Sequence, residues 1–281
     1  YIDETRYTKN TYTLDTGTFA FEGEGDFDDT LPRLAVSYDM NNNWNFYANY
    51  AKGRRSPVVN ADASGVTVTK AEIVDSYDLG VKYQSPNFTF TGAVFTYQYS
   101  DYQQSYTDAE TLQSITVTVG DSTMSGIEGM ATYHYSDTLS FTTSLGFLDA
   151  EFADDTADGT PFQYGGNKFR LAPEVSGAIN INKLVEMDNW LLDFNWLTSF
   201  QSKVYFESSN YPGLWQDTHS LTDVSMKVSK DNSQFAFEVY VDNLFDKEYL
   251  IDAGNTGGGL GIPTFVRGMP RIAGVRVYYD F

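Results

Sequence analysis

The chain has 281 residues, no cysteine and a formal charge of −20, with 16% aromatic and 41% hydrophobic residues. The acid excess argues against nucleic acid as a partner, because phosphates need a basic face, and the lack of cysteine excludes disulfide scaffolds, thiolate metal sites and cysteine nucleophiles. No run approaches the ~18 apolar residues of a membrane helix, and a mean hydropathy of −0.37 alone suggests an acidic soluble protein, but the aromatic excess does not fit that reading.

The chain opens at Tyr1 without a basic region followed by an apolar run, so the sequence reads as processed or as a piece of something longer. Helical periodicity is nearly absent, and period-two alternation takes its place. In chain order, Leu34, Val36 and Tyr38 oppose Ala35, Ser37 and Asp39, and Tyr77, Leu79, Val81 and Tyr83 oppose Asp78, Gly80 and Lys82. The segment Phe88 to Tyr99 is apolar on both faces. Ile127, Gly129, Ala131 and Tyr133 oppose Glu128, Met130, Thr132 and His134, and Leu139, Phe141, Thr143, Leu145 and Phe147 oppose Ser140, Thr142, Ser144 and Gly146. Trp190, Leu192, Phe194 and Trp196 alternate with Leu191, Asp193 and Asn195. Phe235, Phe237, Val239 and Val241 share a face, as do Ala273, Val275, Val277, Tyr279 and Phe281.

The connections fall into two length classes that alternate. Tight turns rich in Asn, Asp, Ser and Pro are expected at Asn41–Asn43, Ser85–Asn87, Ser136–Asp137, Lys183–Asp188 and Lys230–Asn232. Longer polar links are expected at about Asn10–Asp28, Gly53–Ala71, Thr107–Thr111, Ala153–Asn167, Glu207–Gln216 and Leu250–Pro263. Together they imply about twelve strands. A soluble sandwich has no reason to sort its connections by length. A transmembrane β-barrel does, with short turns on the periplasmic side, long loops outside, aromatic girdles and an apolar face on lipid. Closure satisfies every backbone donor in lipid. The expected fold is therefore all-β, an antiparallel transmembrane barrel in the bacterial outer membrane.

Several stretches resemble TonB-dependent outer-membrane receptors. Val241-Asp242-Asn243-Leu244-Phe245-Asp246-Lys247-Glu248-Tyr249 is similar to the family's penultimate strand, and Gly268-Met269-Pro270-Arg271-Ile272-Ala273-Gly274-Val275 resembles the opening of its last strand. Leu31-Pro32-Arg33-Leu34-Ala35-Val36-Ser37-Tyr38 and Phe46-Tyr47-Ala48-Asn49-Tyr50-Ala51-Lys52-Gly53-Arg54-Arg55-Ser56-Pro57 resemble a central hairpin, and Glu128 after Gly126-Ile127 fits a Gly-(Val/Ile)-Glu strand. The terminal alternation Val275, Val277, Tyr279, Phe281 resembles the signal by which outer-membrane barrels are recognised for assembly.

The resemblance implies that residues 1–281 are the C-terminal part of a 22-stranded barrel, its last twelve strands, with plug and N-terminal strands absent. It implies active uptake of a metal chelate, with a ferric siderophore as the expected cargo, and TonB, the barrel-assembly machinery, outer-membrane lipid and lipopolysaccharide as partners. A complete small barrel serving as a passive pore or structural protein is the alternative. Candidate ligand contacts by topology are Arg54, Arg55, Phe162, Tyr164, Tyr211 and Trp215, with the arginines suited to an anionic complex.

No catalytic constellation, cofactor or metal site is expected. His134 and His219 are the two side chains of the type that serves as a base near neutral pH, and neither stands in a recognisable hydrolase motif. Two acidic clusters, Glu22, Glu24, Asp26, Asp28, Asp29 and Asp149, Glu151, Asp154, Asp155, Asp158, make Ca²⁺ conceivable, but their spacing matches no EF-hand and solvated loops are the plainer reading. The glycines from Gly254 to Gly261 lack the Lys-Ser/Thr of a phosphate loop.

Overall fold

A computed structural model describes residues 1–14, 17–62, 65–107, 114–153, 164–254 and 263–280. Strands in chain order are β1 (Ile2–Leu14), β2 (Gly17–Asp29), β3 (Arg33–Asp39), β4 (Trp44–Arg55), β5 (Val58–Asp62), β6 (Gly65–Thr69), β7 (Glu72–Gln84), β8 (Phe88–Ser100), β9 (Gln103–Thr107), β10 (Ser114–Thr118) and β11 (Ser122–Ser136). There follow β12 (Leu139–Phe152), β13 (Val175–Met187), β14 (Trp190–Gln201), β15 (Val204–Tyr205), β16 (Trp215–Gln216), β17 (His219–Lys230), β18 (Phe235–Asp242), β19 (Leu250–Gly254), β20 (Thr264–Arg267) and β21 (Ile272–Tyr279).

Eleven of these form one antiparallel sheet in the order β21-β18-β17-β14-β13-β12-β11-β8-β7-β4-β3, each joined to its sequence neighbour. The other strands extend the long links as five two-stranded hairpins. The sheet thus holds eleven of the twelve passes expected from the sequence, because the first expected strand, β1, pairs with β2 in a hairpin outside the sheet. The long links are corrected in one respect. Asn10–Asp28 is not a polar loop but most of the hairpin of two thirteen-residue strands, β1 and β2, and strand pairing likewise continues through parts of the links after Gly53 and Leu250, while residues 108–111 of the link that begins at Thr107 lie outside the described residues.

Tight turns join the opposite end of the sheet. The Asn41 side chain accepts from the Asn43 and Trp44 amides at 2.9 and 3.1 Å, so a side-chain oxygen supplies the turn's missing backbone acceptor. The turn expected at Lys183–Asp188 lies further on. β13 continues to Met187, and the chain reverses at Asp188–Asn189, with Asp188 at φ +51°. Val185 opposite Leu192 keeps the alternation going, and Asp tolerates the left-handed region where the reversal needs it.

The apolar face of the large sheet points away from protein. Leu34, Leu79, Val94, Ile127, Phe147 and Val275 are exposed, and Phe235 and Tyr279 meet across the last pair with ring centroids 4.8 Å apart. The opposite face carries Asp78, Glu128, Asn180, Asn195, Lys227, Glu238 and Arg276, placed there by the same register. A soluble protein buries such an apolar face. Here two clusters of buried hydrophobic side chains gather at the long-link end, one around Val119, Phe169 and the outer end of β12 (Ala150 and Phe152), the other around Val204, Phe206, Leu214 and Ala253.

The two-faced apolar segment Phe88 to Tyr99 follows from this arrangement. Phe88, Phe90 and Val94 fall on the apolar face, whereas Phe95, Tyr97 and Tyr99 face the lumen and lead toward the first cluster, Tyr99 lying 5.8 Å from Tyr102 and Tyr102 5.4 Å from Phe152.

The Asn-Leu-Phe-Asp-Lys run builds a knot between β18 and β19. Asn243 sits at φ +51°, its amide donates to Asp223 Oδ1 (2.7 Å), its Oδ1 accepts from the Lys247 amide (2.8 Å), and its Nδ2 donates to the Lys247 and Met269 carbonyls (2.9 and 3.1 Å). The Arg271 amide then donates to Asp246 Oδ1 (2.9 Å), fastening β21 to the same knot. Asn243→Ala is expected to lower unfolding stability by about 2 kcal/mol, from strain at positive φ and unpaired buried groups, read from urea denaturation in detergent.

Candidate functional site

One row of lumen-facing residues crosses nine strands in register: Ser37, Tyr47, Gly80, Ala93, Glu128, Gly146, Ser176, Gln201 and His219. Barrel strands tilt, so a row perpendicular to them climbs the wall. It starts near the turns, four residues into β4, and ends at the first residue of β17, on the side of the long links.

Small residues in the middle of this row hollow out a groove of about 530 Å³, with Glu128 among its lining. The Tyr47 ring lies flat across Gly80, where any Cβ would collide with it, so glycine on β7 is what lets the ring reach along the row. Glu128 makes no ion pair among the described residues. The groove thus presents one uncompensated carboxylate between small side chains.

The residues singled out from sequence separate clearly. The Arg54 side chain is 2% exposed, with Nη1 2.8 Å from Glu4 Oε1 and Nε 3.0 Å from Asp29 Oδ2. It ties the β1–β2 hairpin to β4 and is not free for a ligand, since its charge is spent on two carboxylates. Arg55 is half exposed, on the lumen side, donating to the Gln103 carbonyl at 3.1 Å and lying 3.6 Å from Glu72. Tyr164 packs on Phe152 with ring centroids 5.2 Å apart, and burial pushes its phenol up to about 12, helped by Glu207. Tyr211 is exposed, and Trp215 carries the Lys203 ammonium 4.0 Å above its ring. Phe162 lies outside the described residues. In the assembly segment, Val275, Val277 and Tyr279 share the apolar face of the edge strand β21, and Phe281 falls outside the described residues.

The acidic clusters have other uses. Glu22, Glu24, Asp26 and Asp28 sit on one face of a strand, successive members ~6.8 Å apart, too far apart to share ligand distances of about 2.5 Å around one cation. Glu22 pairs with Lys9, and Asp26 accepts from Thr5 (2.7 Å). Asp149 and Glu151, with Glu174, surround Lys168 at 2.7, 3.3 and 3.4 Å, and the hydrogen bond to Asp149 leads in raising that ammonium's pKa. Asp154, Asp155 and Asp158 lie outside the described residues. Among the described residues no group of three or more His, Cys, Asp or Glu is gathered to hold a metal ion.

Nor is there a catalytic pair around the histidines. His219 faces the lumen opposite Gln201, and the next residue, Ser220, opposite Phe200, faces the other way. His134 stands near the turns, at a register shift between β11 and β12.

The hairpin dock has a pH dependence with a definite sign. Burial acts to raise the Glu4 carboxyl, but the Arg6 hydrogen bond and the Arg54 and Arg6 charges overcome it and leave the pKa lowered. A lowered carboxylate contributes stability above its unfolded pKa of about 4.3 and loses it as pH falls through the folded value. Amide exchange in β1–β2 is therefore expected to accelerate relative to the sheet below about pH 4; unchanged relative protection at pH 3 would contradict this role for Glu4.

An apolar outer face, a polar inner face, turns at one end and long hairpins at the other define an outer-membrane β-barrel wall. The family is then given by sequence: residues 2–244 match the family described as TonB dependent receptor-like, beta-barrel, and the chain belongs to it. The pesticin receptor of Yersinia pestis is 23% identical over 269 residues, covering 94% of this chain and 38% of the relative. Among solved structures, the ferric yersiniabactin uptake receptor of Yersinia pestis superposes with a TM-score of 0.82 at 22% identity, over 99% of this chain and 42% of that one. The ferric preacinetobactin receptor of Acinetobacter baumannii gives 0.70 at 18% identity, over 99% and 40%. The chain thus spans about two-fifths of the length of these relatives. They are receptors rather than enzymes, and the family places the chain in the outer membrane.

Proposed function

We propose that residues 1–281 form the C-terminal portion of the barrel of a TonB-dependent receptor for active uptake, and that its cargo is a ferric siderophore complex. The observation that carries the reading is the open eleven-stranded sheet, whose edge strands β3 and β21 have no second partner among the described residues. In lipid an unpaired strand edge is prohibitively costly, so closure calls for further strands, which favours a larger barrel over a small self-contained pore. Family membership points to TonB as the energy source, and the likeness to the ferric yersiniabactin and ferric preacinetobactin receptors supports an iron chelate as cargo.

In this reading Arg55, Tyr211 and Trp215 remain as ligand contacts at the outer end, and Tyr164 and Arg54 hold the framework that positions them. The apolar face meets outer-membrane lipid and lipopolysaccharide, and Val275, Val277, Tyr279 and Phe281 meet the assembly machinery. Uptake of radio-iron as a panel of ferric siderophores, in cells with and without the gene, tests the function. Uptake that requires the gene and collapses when the inner membrane is de-energised is expected. Gene-dependent leakage of small solutes that persists after de-energisation would favour the passive pore instead.

A further inference from the structure

The row that passes Glu128 ends at a second cavity, of about 370 Å³, at the outer end of β14 and β17. Its apolar walls include Val204, Phe206 and Leu221. Ser199, Gln201 and His219 reach it from the lumen face. His219 is 9% exposed, with Nδ1 3.3 Å from the Asp217 carbonyl oxygen and its ring stacked on Tyr249 at 5.2 Å and 22°. An Nδ1–H donated to that carbonyl leaves Nε2 as the acceptor nitrogen. Tyr249 is itself held in place, because its ring lies across Gly268 where a Cβ would collide.

Neither Nε2, the Gln201 amide nor the Ser199 hydroxyl has a side-chain partner among the described residues, and no charged side chain lines the cavity. An apolar pocket with a few convergent, unsatisfied and uncharged polar groups has the makeup of a small-molecule site, and its volume is at the small end for one. A carboxylate or ammonium group would be buried there without a counter-charge, at high cost.

We propose that this cavity binds an uncharged aromatic ring bearing a hydroxyl group. The ring packs beside the His219–Tyr249 stack, the hydroxyl donates to His219 Nε2, and its oxygen accepts from Gln201. For its biological use the assignment rests on the uptake reading, in which the ring is a part of the cargo that does not ligate the iron, since an iron-bound phenolate has no proton to donate. The binding itself does not depend on transport.

The test uses fluorine NMR on the protein purified from outer membranes in detergent, with 4-fluorophenol as probe and fluorobenzene and 4-fluorobenzoate as comparisons. Saturable binding of 4-fluorophenol is expected, about tenfold tighter than either comparison, the factor one net hydrogen bond supplies. Gln201→Leu is expected to weaken 4-fluorophenol several-fold and leave fluorobenzene unchanged, His219→Ala to weaken 4-fluorophenol about tenfold, and Ser199→Phe to abolish binding by filling the cavity. Heat-modifiable gel migration confirms that each variant is folded. Equal affinity for 4-fluorobenzoate, absence of saturable binding, or binding indifferent to all three variants would overturn the proposal. Failure here would leave iron uptake untouched, and failed iron uptake would leave this binding result standing.

Discussion

Leu145→Arg is expected to destabilise the folded barrel in a bilayer by about 2–4 kcal/mol, the cost of a charge on the lipid face near the midplane. Leu145 is the seventh residue of β12 counted from the turn, between Gly129 and Gly177 on its neighbours, and it points outward. Ser144→Arg, one residue away, is expected to cost far less. Ser144 lines the lumen groove that also holds Glu128, so an arginine there gains a carboxylate within reach and stays in water. Urea titration of both variants refolded into liposomes reads the difference. Equal effects would mean that the two faces do not meet different solvents.

The second large effect is expected from Arg54→Met. Removing the guanidinium leaves Glu4 and Asp29 facing a buried apolar side chain, and breaking a buried pair costs about 3–5 kcal/mol. Both carboxylates are about one-fifth exposed, and water screens part of that penalty, so about 3 kcal/mol is the appropriate end. The loss falls on the docking of β1–β2 and not on the sheet. Limited proteolysis of the hairpin should therefore speed up by on the order of a hundredfold, with global unfolding little changed. Arg54→Lys, which keeps a charge but not a fork that spans two carboxylates, should fall between. A hairpin as resistant in Arg54→Met as in the parent protein would show that other contacts hold it.

The wall of the barrel was legible in the sequence because its solvent is written into every second residue. Lipid on one side and water on the other leave a period-two pattern that Phe235 to Val241 or Leu139 to Phe147 carry without help from the rest of the chain. The turns were legible for a similar local reason, with Asn41 and its side-chain acceptor as the clearest case. Above the membrane that logic ends. Strands β1, β2, β5 and β6 have water or other hairpins on both faces, so Glu22 to Asp28 alternate acid with Gly23, Gly25 and Phe27 and read as a polar loop. Their pairing is set by contacts distant in sequence, such as Asn10 Nδ2 to the Ala61 carbonyl at 2.7 Å.

The site was less legible for the same reason. Arg54 and Arg55 are indistinguishable as neighbours in sequence, and adjacent strand residues must face opposite ways. One therefore turns into the hairpin dock and the other toward the lumen. The cavity at His219 carried a weak signal, a histidine opening a strand, but its partners Tyr249, Gln201 and Phe206 come from three other segments, and only the register assembles them. Glu128 was visible as a motif. What the motif did not convey is that Gly80, Ala93, Gly146 and Ser176 clear a groove along the same row.

The central claim is that alternate residues of these strands face lipid and lumen. The chain has no cysteine, so single cysteines along β12, labelled with a fluorophore in liposomes, test it directly. The expected result is a strict alternation: a lipid-borne quencher reaches labels at Phe141, Thr143, Leu145 and Phe147, and an aqueous quencher reaches those at Thr142, Ser144 and Gly146. Quenching by the aqueous agent at every position, or no alternation along the strand, would contradict the membrane barrel and the functional account built on it.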